Sequence, residues 1–96
     1  MHMICDFSGF HFIRGEIRKI TYELISHTDR NFVIEKSFAE LFHSNKLIGD
    51  LPVEINNHEI EFIIDTTELK YTYYTVIVTC VINEETVKKK IEFEVS

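Results

Sequence analysis

The chain has 96 residues, 45% of them hydrophobic, and a formal net charge of −6 from 16 acidic and 10 basic side chains. This length predicts one domain over residues 1–96 with a single core, and the apolar content excludes a disordered chain. The acidic balance repels a phosphate backbone, so the composition argues against nucleic-acid binding and for a solvated acidic surface.

The N-terminal residues and the two cysteines indicate the cellular compartment in which we expect the protein. Met1 to Met3 does not resemble a secretory signal peptide, and these residues are interpreted as disordered or as a cloning remnant. No apolar run approaches the roughly 20 residues that span a membrane. Cys5 and Cys80 form neither a CxxC pair nor a disulfide framework, and Cys80 lies in a pattern typical of a reduced core residue. We therefore expect a protein of the cytoplasm, or of an assembly built there, without a membrane partner.

The first half of the chain contains three strand patterns. Residues 7–13 are interpreted as a strand that ends near Gly15, and residues 17–25 alternate apolar and polar side chains with the period of a strand. The polar run over residues 26–30 is typical of a turn, and residues 32–34 of a short strand.

Two segments carry helical signals instead. Residues 37–42 combine the Ser-x-x-Glu form of a capping box with apolar side chains spaced along one helix face. Residues 65–69 have a similar form. Because polar residues or a strand pattern follow closely in both cases, we expect one or two single-turn helical crossovers.

The second half of the chain is richer in strand signals. Residues 53–55 and 59–64 are predicted strands, joined by a turn at 56–58 where asparagine tolerates a left-handed backbone. Residues 71–82 are rich in β-branched and aromatic side chains, and residues 87–95 alternate over their whole length.

The last two of these strands are predicted to form a hairpin across the polar loop 83–86. The expected pairs are Ile82 with Val87, Cys80 with Lys89, Val78 with Ile91, Val76 with Phe93 and Tyr74 with Val95. A slip by one residue would turn the apolar set towards solvent, so the assignment of faces is strongly specified.

Six or seven short strands with such crossovers predict an all-β, antiparallel sandwich or a small barrel. A barrel that holds a hydrophobic ligand needs a central cavity, and a chain of this length leaves little room for one. The sequence therefore favours a sandwich with a filled core.

No residue pattern predicts catalysis, a cofactor or a metal site. The three glycines lie in no phosphate-binding loop, and the five histidines form no pair with ligand spacing. Glu59 and Glu61, like Glu92 and Glu94, share strand faces opposite the apolar ones, where solvated carboxylates are expected. We therefore expect a protein that is not an enzyme. A metal site assembled across strands and a Cys5–histidine pair are the open alternatives.

Three tyrosines cluster where the predicted 65–69 crossover meets the next strand. Tyr74 belongs to the inward set, whereas Tyr71 and Tyr73 share the opposite face. Tyr71 and Tyr73 are candidate protein-binding residues, because exposed tyrosines are large, rigid anchors with a polar tip. The structural alternative is a corner residue that forms a hydrogen bond to nearby backbone.

Three phenylalanines near the start raise a similar question. Phe10 and Phe12 share one face of the predicted first strand, and Phe7 falls on the other. A strand that is apolar on both sides suits a subunit interface better than an exposed edge. All three are therefore candidate interaction residues, with a homo-oligomer as the expected assembly.

Two stretches of the chain combine a turn motif with alternating strands. The first joins the turn Arg14-Gly15-Glu16 to the strands 20–24 and 32–34. The second joins Ile64-Asp65-Thr66-Thr67 to a tyrosine-rich strand and a last strand that ends Phe93-Glu94-Val95. Together they resemble the immunoglobulin-like modules of phage tail and baseplate proteins, and the correspondence spans most of residues 10–96. It implies an immunoglobulin-like antiparallel β-sandwich, and no catalytic residues come with it.

The resemblance further implies a structural module that binds other protein subunits in a phage or prophage tail or baseplate. Its location would be the virion or the host cytoplasm. The acidic composition supports an alternative, a small inhibitor or regulatory protein that mimics the charge of nucleic acid. That alternative requires carboxylates gathered on one face.

Overall fold

The computed structural model describes residues 2–5, 11–25 and 31–96, with side chains over the last two ranges. Every regular element within those ranges is a β-strand. The strands are β1 (His2–Cys5), β2 (His11–Phe12), β3 (Ile17–Ile25), β4 (Ile34–His43), β5 (Lys46–Leu51), β6 (Val53–Asn56), β7 (Glu59–Asp65), β8 (Tyr73–Ile82) and β9 (Glu85–Val95). The all-β class is confirmed, with more strands than the six or seven expected. The predicted turn at 26–30 lies outside the described residues.

The strands form two sheets. Sheet A has the order β1-β3-β7-β6, and sheet B has the order β2-β9-β8-β4-β5. The described pairings are antiparallel apart from that of β2 with β9, which is parallel. Immunoglobulin domains place their strands in the orders ABED and GFC. Here β1-β3-β7-β6 and β9-β8-β4 reproduce those orders, so the domain is an immunoglobulin-like β-sandwich.

One hydrophobic core lies between the sheets. Successive side chains of a strand point to opposite faces, so alternate residues of β3 and β7 are buried. Tyr22 of β3 and Phe62 of β7 stack on the inner face of sheet A, with ring centroids 6.3 Å apart. The predicted strands 17–25 and 59–64 are confirmed, as is the turn before the latter, where Asn57 has a φ of 55°.

The β8–β9 hairpin is confirmed, but its register differs from the expected one by two residues. Ile82 lies opposite Glu85, Cys80 opposite Val87, and Tyr74 opposite Phe93. The loop contains two residues instead of four, because Asn83 adopts a φ of 55° that allows the chain to reverse at once. A shift of two preserves the faces, so the inward set of β8 is the expected one.

The helical prediction for residues 37–42 is wrong, since this segment lies within the ten-residue strand β4. β4 pairs with β5 on one side and with β8 on the other, so its backbone groups are satisfied in an extended conformation. Ala39 and Leu41 point into the core, which is the alternation of a strand. β5 was not predicted, and it follows a tight turn in which Ser44 and Asn45 both have positive φ.

The segment after β7 is a turn and not a helical crossover. Asp65 is the last residue of β7, and the Asp65 carboxylate accepts a hydrogen bond from the backbone N–H of Thr67 at 2.9 Å. The N–H of Leu69 donates to the carbonyl of Thr66 at 3.2 Å. An aspartate side chain that bonds backbone two residues on favours a turn over a helix. The predicted strand 32–34 is also wrong in extent, because Ile34 alone of those residues is in a strand, as the start of β4.

Candidate functional site: the outer face of sheet B

The structure corrects one of the predicted interaction residues. Phe12 is fully buried, with its ring 5.2 Å from that of Phe93 and the guanidinium of Arg18 4.7 Å from its centre. It is therefore a core residue and does not lie on an interaction surface. Phe7 and Phe10 lie outside the described residues.

Tyr71 and Tyr74 form a corner at the start of β8. The buried Tyr74 hydroxyl accepts a hydrogen bond from the backbone N–H of Tyr71 at 2.8 Å, which is the arrangement of a tyrosine corner. The exposed Tyr71 ring stacks on His43 with centroids 3.9 Å apart, and His43 Nδ1 lies 2.9 Å from the carbonyl oxygen of Tyr73. The backbone of Tyr71 therefore takes part in the tyrosine corner, while part of its ring still faces solvent.

Among the predicted site residues that the structure describes, Tyr73 is the most exposed, at 65%. It lies opposite Glu94 on β9, and the hydrogen bond and negative charge of that carboxylate raise the pKa of the Tyr73 hydroxyl. A cleft of about 610 Å³ beside it is lined by residues of β4, β8 and β9, including His43, Glu92 and Glu94. Tyr73 thus stands at one end of the outer face of sheet B.

A continuous apolar stripe runs along that face from Tyr73. Its members are outward-facing residues of β4, β5 and β8 that are directly opposite or diagonal to one another: Tyr73, Leu47, Phe42, Ile77, Phe38 and Val81. Phe38 and Leu47 are 43% and 50% exposed. Diagonal neighbours in a sheet lie about 7–8 Å apart, within reach of large side chains. The stripe therefore forms one surface along the seam between β4 and β8.

Thr79 lies within this face, opposite Phe38. Its side chain is buried, and its hydroxyl has no hydrogen-bond partner among the described residues. A buried hydroxyl normally finds a partner. Thr79 is thus an exception within this face, a hydroxyl that is covered by its neighbours without a protein partner.

Charged side chains of both signs lie beside and within the stripe. Lys88, Lys90, Glu92 and Glu94 point outwards from β9 on one side, and Asp50 points outwards from β5 on the other. Glu40 lies on β4 between Phe38 and Phe42. Lys90 forms an exposed ion pair with Glu92 at 3.2 Å, which contributes little to stability. The face thus combines apolar and charged side chains, with most of the charged ones at its rim, as in protein interfaces.

Tyr73 is the member of this stripe that the sequence predicts as a binding residue. The sequence pattern of Phe38 and Phe42 also fits a helix face, although their alternation with Ala39 and Leu41 is that of a strand. The polar Ser44-Asn45 pair between two apolar runs was a hairpin signal that would have located β5 and Leu47.

The outer face of sheet A differs in character. Glu23 lies opposite Glu59, and Glu54 lies opposite Glu61, so four carboxylates occupy adjacent positions on three strands. Lys19 Nζ lies 3.6 Å from the Glu61 carboxylate. Like charges placed directly opposite each other destabilise a sheet. This acidic patch is the gathered arrangement that the alternative function requires.

The two short motifs of the family resemblance, residues 14–16 and 64–67, lie side by side in the structure. The Thr66 hydroxyl accepts from the N–H of Gly15 at 2.9 Å and donates to the carbonyl of Glu16 at 2.8 Å. Thr66 is fully buried, and its own N–H also donates to Glu16, at 3.0 Å. Gly15 has a φ of +100°, a region that side chains rarely adopt. The Arg-Gly-Glu turn and the Asp-Thr segment therefore fasten β2 and β3 to the end of β7.

The Glu16 carboxylate completes this turn. It accepts from the backbone N–H of Ile13 at 2.6 Å and from the Arg18 guanidinium at 2.6 and 2.9 Å. The hydrogen bond from Ile13, followed by those from Arg18, lowers the pKa of Glu16 below the ordinary value of 4.5. The ionised form is thus the one that the folded turn stabilises.

Glu16→Gln is expected to lower the free energy of unfolding at neutral pH, and the deficit should shrink on acidification. A carboxyl with a depressed folded pKa contributes stability above its unfolded value and loses it as the pH falls through the folded value. Urea unfolding of both proteins at about pH 7 and about pH 3 measures the difference. Glu84→Gln, in the exposed β8–β9 turn, is the control. A deficit of equal size at both pH values would contradict this account.

The remaining reactive groups do not assemble into a metal site in the part of the chain described. Cys80 is a free, buried thiol whose pKa is raised by burial, and its sulfur lies 3.1 Å from the Ser37 hydroxyl. Across residues 11–25 and 31–96, no three His, Cys, Asp or Glu side chains are placed to hold a metal ion. The described ranges also contain no helix with the length and hydrophobicity to cross a membrane.

Comparison with known proteins supports the assignment of the fold. No protein-family model and no curated protein matches the sequence. CopC from Methylosinus trichosporium OB3b is similar in structure, with a TM-score of 0.64 and 16% identity over 99% of this chain and 94% of that one. Murine CRIg has a TM-score of 0.54 and 15% identity, over 98% and 94%. The endo-β-1,4-mannanase from Thermotoga petrophila has a TM-score of 0.62 and 14% identity over all of this chain, which spans 20% of the mannanase. At these identities the likeness shows the fold alone.

Proposed function

We propose that this domain is a non-catalytic module that binds other proteins through the outer face of sheet B. The observation that carries the proposal is the apolar stripe, in which Phe38, Leu47 and Tyr73 are substantially exposed. Contiguous apolar patches with a polar rim mark interaction sites, because their removal from water favours association. Aromatic side chains at the centre of such a patch supply much of the binding energy.

The resemblance to phage tail and baseplate modules supports a particular setting for this binding. Residues 14–16 and 64–67, which carry that resemblance, form the turn that Thr66 fastens. Under this proposal the partners are neighbouring structural subunits of a phage or prophage, in the virion or in the host cytoplasm. The module would hold those subunits together.

A second candidate is a small acidic inhibitor or regulatory protein. It is favoured by the four carboxylates that face outwards from β3, β6 and β7, since these could attract a basic partner. Under this candidate the binding surface is the outer face of sheet A.

Photo-crosslinking in the native host distinguishes the two faces. A photoreactive phenylalanine analogue is placed at Phe38 on sheet B, or at Ile63 on sheet A as the matched exposed position. The proposed function is expected to give discrete protein adducts from position 38 and few from position 63, identified by mass spectrometry. Adducts that are phage structural proteins would support the tail setting. Adducts from position 63 alone would favour the acidic candidate, and no adduct from position 38 would overturn the first proposal.

A further inference from the structure

We propose that the cleft beside Tyr73 binds the guanidinium group of an arginine side chain on the partner protein. This inference rests on the proposed function, because the cleft lies at one end of the apolar stripe and would receive part of the same partner. Its basis is the aromatic ring and the hydrogen-bonding atoms that surround the cleft.

Four outward-facing side chains of two neighbouring strands frame the cleft. Tyr73 lies opposite Glu94, and Thr75 lies opposite Glu92, with the first member of each pair on β8 and the second on β9. Positions two apart on a strand are separated by about 7 Å, and positions directly opposite each other by about 5 Å. Both carboxylates can therefore reach one group that lies between them and the Tyr73 ring.

The polar atoms of this lining are mainly hydrogen-bond acceptors. The Tyr73 hydroxyl already donates to Glu94. His43 Nδ1 lies 2.9 Å from the carbonyl oxygen of Tyr73 and donates to it, which leaves Nε2 of the neutral ring as an acceptor. The carboxylates of Glu92 and Glu94 only accept, and the two hydroxyls that line the cleft can donate or accept. A ligand that suits this lining is therefore rich in N–H donors.

The charge near the cleft favours a cation. Among the described residues that line it, none is lysine or arginine. Lys90 pairs with Glu92 at 3.2 Å, but both side chains are largely exposed, so an incoming cation can share that carboxylate at little cost. His11 Nε2 lies 3.4 Å from Glu94 and 2.7 Å from the Ser96 hydroxyl, and it offsets the charge of Glu94 only when protonated. The excess of carboxylates therefore attracts a positively charged donor.

The exposed ring of Tyr73 selects guanidinium among the cations that a protein presents. Guanidinium is planar, stacks on aromatic rings and bonds carboxylates through a fork of N–H donors, whereas the lysine ammonium is compact and strongly hydrated. The methylene stem of an arginine covers apolar surface while its head stays polar. A partner that fits both the cleft and the adjoining stripe would thus carry an arginine beside apolar residues.

Titration with Nα-acetyl-arginine methylamide at low salt, followed by backbone amide chemical shifts, tests the site. Shifts are expected at residues 73, 75, 92 and 94, with a dissociation constant of about 1–10 mM. The citrulline analogue is the matched ligand control, because it has nearly the same shape without the charge. It is expected to bind at least about tenfold more weakly. A lysine analogue that binds as tightly as the arginine analogue would overturn the assignment to guanidinium.

Two variants test the residues of the cleft. Glu94→Gln removes the charge but retains an acceptor for the Tyr73 hydroxyl, and Tyr73→Leu removes the ring. Each is expected to weaken binding of the arginine analogue at least about fivefold. Glu59→Gln is the matched control, because it removes the same charge from the outer face of sheet A, and it should leave the titration unchanged.

Unaltered chemical shifts away from the substituted positions show that the variants are folded. Absence of shifts at the four residues up to about 50 mM ligand, or equal binding of the citrulline analogue, would overturn the site. Protein adducts from position 38 in a chain that does not bind the arginine analogue would leave the proposed function intact.

Discussion

Replacing Phe12 by alanine is expected to lower the free energy of unfolding by about 3–5 kcal/mol, the usual cost of removing a buried phenylalanine. Phe12 is fully buried against Phe93, and its strand β2 joins the edge of sheet B through a parallel pair with β9. The substitution leaves a cavity at this edge, which the surrounding strands fill only in part. Chemical denaturation at neutral pH measures the loss.

The neighbouring Ile13→Ala is the control, because Ile13 is 65% exposed and should change stability by less than about 0.5 kcal/mol. The same pair separates a core role from an interaction role. If Phe12 served an interface, Phe12→Ala would weaken association and leave the stability of the monomer nearly unchanged. Stability losses of similar size for both variants would contradict the burial of Phe12.

Replacing Thr66 by valine is expected to cost about 1–3 kcal/mol, the penalty for leaving buried backbone groups without their partner. Valine has the same shape and keeps the packing, so the loss comes from the hydrogen bonds to Gly15 and Glu16. Because those bonds connect the turn before β3 with the end of β7, the loss should also loosen both segments locally. Denaturation together with amide exchange at residues 15 and 66 measures both effects.

Thr66→Ser is the matched control, since serine retains the hydroxyl and lacks only the methyl group. It should keep the slow amide exchange of Gly15 and Thr66, whereas valine should accelerate exchange at both. If serine is destabilising and valine is not, the methyl group and not the hydroxyl supports this turn.

The strands that have one face exposed to solvent could be predicted from the alternation of apolar and polar residues. β3, β7, β8 and β9 alternate because each has one side against the core and one side towards solvent. Burial of Val76, Val78 and Ile91 follows directly from that alternation. The hairpin faces were therefore correct even though the length of the loop, which depends on the backbone of Asn83, was not.

β4 shows where local pattern fails. The capping-box spacing of Ser37 and Glu40 has a physical meaning only at a helix start, and no such start forms because β5 and β8 compete for the same backbone groups. The Ser37 hydroxyl instead donates to the carbonyl of Thr79 on β8 at 2.8 Å. Tertiary pairing overrode a weak local preference.

The sequence by itself determined which side chains of most strands face inwards, because a period of two is a local property of an extended chain. Only the tertiary structure decided which outward residues become neighbours. Phe38, Leu47 and Tyr73 come from three strands, and their meeting depends on β4 lying between β5 and β8. The same order of strands places the charged residues of β9 on one side of the stripe and Asp50 of β5 on the other. Long-range pairing of this kind is set by how both sheets bury one core and not by any local pattern.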